Sequence, residues 1–93
     1  MGNPNRGEIW LVDLGYSAKT RACFVLSIPV EDHERALATL VPHTTSPRGT
    51  RFEVDVKVRF LKQGVFDAQS MVTVPHTKLI RKLGSLRKSN LYL

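Results

Sequence analysis

The stretch Arg6-Gly7-Glu8-Ile9-Trp10-Leu11-Val12-Asp13-Leu14 decides the fold. Within it, residues 9–14 are rich in β-formers and read as a strand. A short polar loop, 15–20, follows. Arg21 then opens a second apolar run, Ala22-Cys23-Phe24-Val25-Leu26-Ser27, which reaches Ile28 before Pro29 ends it. A nearly continuous apolar run of this length predicts a central strand buried on both faces. A single cation at the mouth of two such strands stands where a reactive phosphate could be held.

Working outward, more short strands emerge. Residues 31–35 are polar and fit one helical turn or a loop. Residues 36–41 are apolar and predict a third strand, followed by the turn-rich His43-Thr44-Thr45-Ser46-Pro47-Arg48-Gly49-Thr50. From 52 to 59, Phe52, Val54, Val56 and Val58 alternate with Glu53, Asp55, Lys57 and Arg59, the pattern of a strand with one wet face. Gly64 marks a turn. Val65 and Phe66 predict a short strand, and residues 71–74 another. Thr77-Lys78-Leu79-Ile80-Arg81-Lys82-Leu83 has helical spacing, with Gly84 as its C-terminal cap. Residues 85–93 would begin a further helix. The expectation is a mainly β (β-rich α+β) domain, a small, strongly bent sheet or partly open barrel with one or two short helices.

The chain has 93 residues and reads as one domain, 1–93. A domain of this size buries a modest core, so an open groove or a site completed by a second subunit is expected rather than a deep pocket. Its 42% hydrophobic content fits a folded protein. The net charge is +6, and it is unevenly spread. No Asp or Glu occurs from 69 to 93, where Lys78, Arg81, Lys82, Arg87 and Lys88 fall; Arg48, Arg51, Lys57, Arg59 and Lys62 form a second basic group. Such clusters suit a polyanion, either nucleic acid or an acidic polypeptide. Cys23 is the only cysteine, which excludes an internal disulfide and fits a reducing, cytoplasmic setting. Its apolar strand marks it as a small core residue. The first eight residues are polar and the apolar runs are only strand length, so neither a secretory leader nor a membrane partner is expected.

Metal chemistry is not expected. His33, His43 and His76 are far apart in sequence and lack cysteine or carboxylate partners at ligand spacing. No Walker motif, dinucleotide fingerprint or nucleophile elbow occurs, and no cofactor is expected. What remains is cationic and hydroxylic: Arg21 at the start of the second strand, and Thr44 and Thr45 after the third. In a small sheet, strand ends on one rim lie close together. A guanidinium offers a planar fork of donors to phosphate oxygens, and a threonine hydroxyl can fix their orientation. Together they could stabilise the charge of a pentacoordinate phosphorus transition state. RNA brings its own nucleophile, the 2′-OH, so such a site could suffice without metal. His43 could act as a general acid or base near neutral pH. On an extended strand, however, it points away from the face that Thr44 occupies.

These motifs resemble the MazF/PemK family of toxin ribonucleases from type II toxin-antitoxin systems. Residues 6–13 look like the family's first strand. Residues 21–27 look like its second, with Arg21 in the place of the catalytic arginine. Val41-Pro42-His43-Thr44-Thr45-Ser46 and Phe52-Glu53-Val54 resemble its third and fourth strands, with Thr44 as the phosphate-site threonine. Gln69 and Met71-Val72-Thr73-Val74 resemble its later Gln-containing strand. The match runs from about residue 6 to residue 86.

The resemblance implies an SH3-like barrel that forms a homodimer. It also implies a metal-independent, sequence-selective endoribonuclease of single-stranded RNA, leaving 2′,3′-cyclic phosphate and 5′-OH ends and arresting translation and growth. A cognate antitoxin with an acidic C-terminal segment is the implied protein partner. Arg21 and Thr44 are the implied catalytic pair, with His43 and Gln69 as candidate supports. RNA contacts are expected from the loops 15–20 and 45–51, through Lys19, Thr20, Thr45, Ser46, Arg48 and Arg51. Three departures stand out: Ala22 replaces the usual proline, the loop before Arg21 contains no carboxylate, and the C-terminal helix region is short. Two other readings share the fold. One is an RNA-binding barrel that is weakly catalytic or inactive. The other is a gyrase poison of the CcdB type, disfavoured because the chain ends Asn90-Leu91-Tyr92-Leu93 instead of Trp-Gly-Ile.

Overall fold

The computed structural model describes residues 3–15 and 19–86. Seven antiparallel strands form one bent, open sheet: β1 (Glu8–Asp13), β2 (Thr20–Val25), β3 (Leu37–Thr44), β4 (Glu53–Val54), β5 (Val65–Asp67), β6 (Val72–Pro75) and β7 (Leu79–Ser85). Their order is β4-β5-β3-β2-β1-β7, and β6 also pairs with β3. The path does not close into a complete barrel. The helical content among the described residues is two 3-10 turns, Ala68–Ser70 and His76–Lys78. No described helix is long and apolar enough to cross a membrane.

The β1 and β2 strands form where their β-branched and aromatic residues predict, in the register Ile9↔Phe24 to Asp13↔Thr20. Each strand feeds both faces of the sheet. Trp10, Val12, Cys23, Val25, Ala38, Leu40, Val74 and Leu79 build one core, while Ile9, Val41 and Phe66 anchor a second on the other side. Val12, Val25 and Leu40 are fully buried. Truncating Leu40 to alanine would cost about 2–5 kcal/mol.

One edge of β3 pairs with β2 from Cys23↔Pro42 to Val25↔Leu40. Its other edge is shared: His43 and Thr44 pair with β5, and residues 37–40 pair with β6. The strand runs past the predicted 41 to Thr44, because β5 supplies a partner there. The ladder with β2 ends at the Cys23↔Pro42 pair. Beyond that point Arg21 is paired only through β1, opposite Val12, and Thr44 only through β5, opposite Val65.

Three expectations need correction. The helix expected over 77–83 is only the 3-10 turn His76–Lys78 at its start, and Gly84 is not a helix cap; β7 (Leu79–Ser85) pairs with β1. Its register skips a residue between Ile9 and Trp10 and again between Leu11 and Val12. These irregularities break the alternation of side chains, so the apolar positions mimic a helical period. Gly84 instead lies under Phe60, whose Cζ would be 2.5 Å from an added Cβ. From 52 to 59, only Glu53–Val54 is a strand. Burial alternates from Val54 to Arg59, with Val56 and Val58 packed on the second core, but Phe52 is exposed, Glu53 is half-buried, and the segment finds no partner ladder beyond Val54. The further helix expected over 85–93 begins on Ser85, which is strand, and residues 87–93 lie outside the described residues.

Candidate active site

Continuing the β2–β3 register two residues past Cys23↔Pro42 sets Arg21 across from Thr44. Both line an open groove of about 920 Å³. The β1–β2 connection delivers Arg21. Gly15 adopts φ 75° and Lys19 φ 51°, the left-handed region that tight reversals require. The Leu14 N–H donates to the Lys19 carbonyl at 2.7 Å, and Asp13 Oδ1 accepts from the Gly15 N–H at 2.9 Å.

Arg21 is exposed. Its Nη1 makes one long hydrogen bond, 3.4 Å, to the His43 carbonyl. This contact uses one of five guanidinium N–H donors, so the group is oriented while most of its fork stays available to an anion. Thr44 is half-buried, and its Oγ1 accepts the Ser46 N–H at 3.1 Å. The hydroxyl proton is left to donate.

His43 borders the same groove, but its ring belongs to the opposite face of β3. It packs edge-on against Phe66 at 5.0 Å, and Gly64 lies against it from the side. A Cβ on Gly64 would collide with the Thr44 carbonyl oxygen and sit 2.8 Å from His43 Cε1. Burial, aided by the nearby Arg21 charge, lowers the His43 pKa below its ordinary value. The ring is therefore neutral at pH 7. Burial pushes the Cys23 thiol up to about 12 against the opposing pull of Arg21, so it is protonated and poorly nucleophilic.

Of the other expected site residues, Gln69, Ser46 and Arg48 line the groove, whereas Lys19, Thr20, Thr45 and Arg51 do not. Arg51 instead stacks on the Phe52 ring, 5.0 Å from its centroid. Gln69 rides on the 3-10 turn capped by Asp67, whose Oδ1 accepts the Gln69 N–H at 3.1 Å and Oδ2 the Ser70 hydroxyl at 2.8 Å.

Sequence reasoning missed three groove carboxylates, Asp13, Glu53 and Asp67, while Lys78, expected in a polyanion-binding basic cluster, also lines the groove. The spacing of Asp67 ahead of Gln69 and Ser70 is a capping signal that could have revealed one of them. The groove thus holds both signs of charge. Its carboxylates, however, accept hydrogen bonds from neighbouring amides and a hydroxyl: Asp13 from Gly15, Glu53 from residues 48, 49 and 50, and Asp67 from Gln69 and Ser70. Among the described residues, no three His, Cys, Asp or Glu side chains gather as metal ligands do.

An open antiparallel sheet whose groove presents an arginine and a threonine from two parting strand ends defines a small β protein of the open-sheet class. The sequence model of the PemK-like, MazF-like toxins of type II toxin-antitoxin systems matches residues 5–92, and the chain belongs to that family. The Mycobacterium tuberculosis toxin MazF-mt6 is 29% identical, superposes with TM-score 0.72, and aligns over 89% of this chain and 83% of its own. An endoribonuclease from a mycobacterial species, solved in complex with its cognate antitoxin, is 23% identical with TM-score 0.77, over 95% and 84% of the two chains. MazF from Deinococcus radiodurans shares the fold at 20% identity and TM-score 0.80, over 98% and 88%. No curated protein matches the chain.

Proposed function

We propose that this toxin is an endoribonuclease that cuts single-stranded RNA without metal. The observation that supports the reading is that Arg21 and Thr44, from the parting ends of β2 and β3, line one groove. The 2′-OH attacks the adjacent phosphorus, forming a new P–O bond and losing its proton. The bond to the 5′ oxygen breaks, and that oxygen is protonated. The products are a 2′,3′-cyclic phosphate and a 5′-OH. Arg21 stabilises the negative charge that builds on the phosphoryl oxygens, and the Thr44 hydroxyl donates to one of them. His43 serves through its carbonyl, which orients Arg21. Gln69 and Ser46 border the RNA path and Arg48 contacts phosphate or base. A homodimer and an antitoxin with an acidic C-terminal segment complete the expected assembly, with growth arrest as the outcome of cleavage.

The test is incubation of the purified protein with a long mRNA in EDTA, with the cut ends mapped. Discrete cuts with 5′-OH ends are expected. Arg21→Ala should lower the rate by about 10²–10³-fold, and Thr44→Val by about tenfold, both with unchanged thermal melts. Undiminished cutting by Arg21→Ala would overturn the site. RNA that is bound but never cut by the wild type would mark a binding barrel instead.

A further inference from the structure

The loop 45–52 between β3 and β4 brings Ser46, Arg48 and Thr50 to the groove. Every residue in it is exposed, so no buried side chain pins it to the core. Such a loop should be mobile unless hydrogen bonds fix it. Thr44 Oγ1 accepts the Ser46 N–H at 3.1 Å and Thr50 Oγ1 the Phe52 N–H at 3.3 Å, and one side chain holds the three successive amides between them. Glu53 Oε2 accepts the Arg48 N–H at 2.8 Å, and Oε1 accepts those of Gly49 at 2.8 Å and Thr50 at 3.3 Å. Gly49 takes φ 76°, which lets three successive amides converge on one anion. Glu53 is itself held by the sheet, where it pairs with Asp67 of β5, and the neighbouring Phe52 carbonyl accepts the Ala68 N–H at 3.0 Å.

We propose that Glu53 is a positioning residue that sets the RNA-contacting shape of this loop and, through it, the choice of cleavage site. The proposal rests on the ribonuclease reading. With the carboxylate in place, the amides of 48–50 are spent, and the loop meets RNA through its side chains, which can discriminate bases. Without it the loop loosens, and three free amides become a cradle for any phosphate. Phosphate contacts position a chain but carry no sequence information. Removing Glu53 should therefore relax selectivity more than it slows chemistry.

Two measurements test this on Glu53→Ala and Glu53→Gln, the latter keeping one of the two acceptor oxygens. The first is amide hydrogen exchange at Arg48, Gly49 and Thr50 in the protein without RNA. Exchange should quicken about tenfold or more in Glu53→Ala and by less in Glu53→Gln. Unchanged exchange overturns the lock, whether or not the protein cuts RNA. The second is the cut-site profile with kcat and KM at the preferred site. Glu53→Ala should raise KM about tenfold and reduce the preference over other sites by a similar factor, with kcat changed by less than about threefold. Quickened exchange with an unaltered profile overturns the selectivity role. A large fall in kcat with KM unchanged, equal in both variants, would make Glu53 a catalytic group and overturn the proposal. A wild type that cuts no RNA removes the ribonuclease reading and the selectivity role together, while exchange still decides the lock.

Discussion

Glu8 begins β1 almost wholly buried, and four groups converge on it. Oε1 accepts the Asn5 N–H and the Trp10 indole N–H, each at 2.9 Å, Oε2 accepts Asn5 Nδ2 at 3.2 Å, and Lys82 Nζ lies 3.1 Å from Oε2. Burial alone would raise its pKa, but these partners outweigh it and hold the carboxyl at about 2, against an ordinary 4.5. Its folded pKa is thus depressed, so its stabilisation is complete above pH 4.5 and drains away as pH falls towards 2. The full effect is on the order of 3 kcal/mol. Glu8→Gln should lower the unfolding free energy at pH 7 by about 2 kcal/mol and flatten the loss between pH 4.5 and 2. Urea melts at pH 7 and pH 3 check this; a mutant with the wild-type acid slope would show that other carboxylates govern it. His43 works in the same sense nearer neutrality, since a buried neutral ring loses stability as pH drops below about 6.5. At this scale the meeting of Arg21 and Thr44 at one rim was legible in the sequence, because strand ends of a small sheet gather there. Glu53 and Asp67 were not, since their importance lies in which backbone amides they meet.

The end of β3 depends on an element that contributes no side chain. Gly64 precedes β5 and fits against the Thr44 carbonyl and the His43 ring, where a methyl has no room. Gly64→Ala should cost about 1–3 kcal/mol and, by displacing Thr44, lower kcat/KM about tenfold. Chemical melts and cleavage kinetics would measure both. Wild-type values in each would mean that the β3 terminus is held by its ladder alone. The sequence marked Gly64 as a turn but could not show what lies beside it. The same gap separates legible strands from illegible ones. The β1 and β2 strands announce themselves because each lies between two others and buries both faces. The β7 strand hides because its register breaks scatter Leu79, Ile80 and Leu83 off a two-residue repeat. The segment 52–59 shows the converse: its alternation matches burial from Val54 onward, though not at the exposed Phe52, yet pairing also needs a neighbour.

For the whole molecule, charge is the property that sequence reports most directly. The excess of six positive charges favours a polyanion, although the groove itself mixes Arg21, Arg48 and Lys78 with three carboxylates. If those three cations each neutralise a phosphate, log K for single-stranded RNA should fall with log salt at a slope of about −2. Arg48→Ala should reduce the magnitude of that slope by roughly 0.7. Fluorescence titrations across a salt series would read both, and a slope near zero would place the RNA elsewhere. The open sheet adds a mechanical consequence. Arg21 hangs from β1 and Thr44 from β5, and among the described residues the 3.4 Å bond to the His43 carbonyl is the one hydrogen bond that spans the interval between them. The two side chains behave as the tips of a calliper whose spread follows the coiling of the sheet, so a distant change in twist re-gauges the opening without touching either tip.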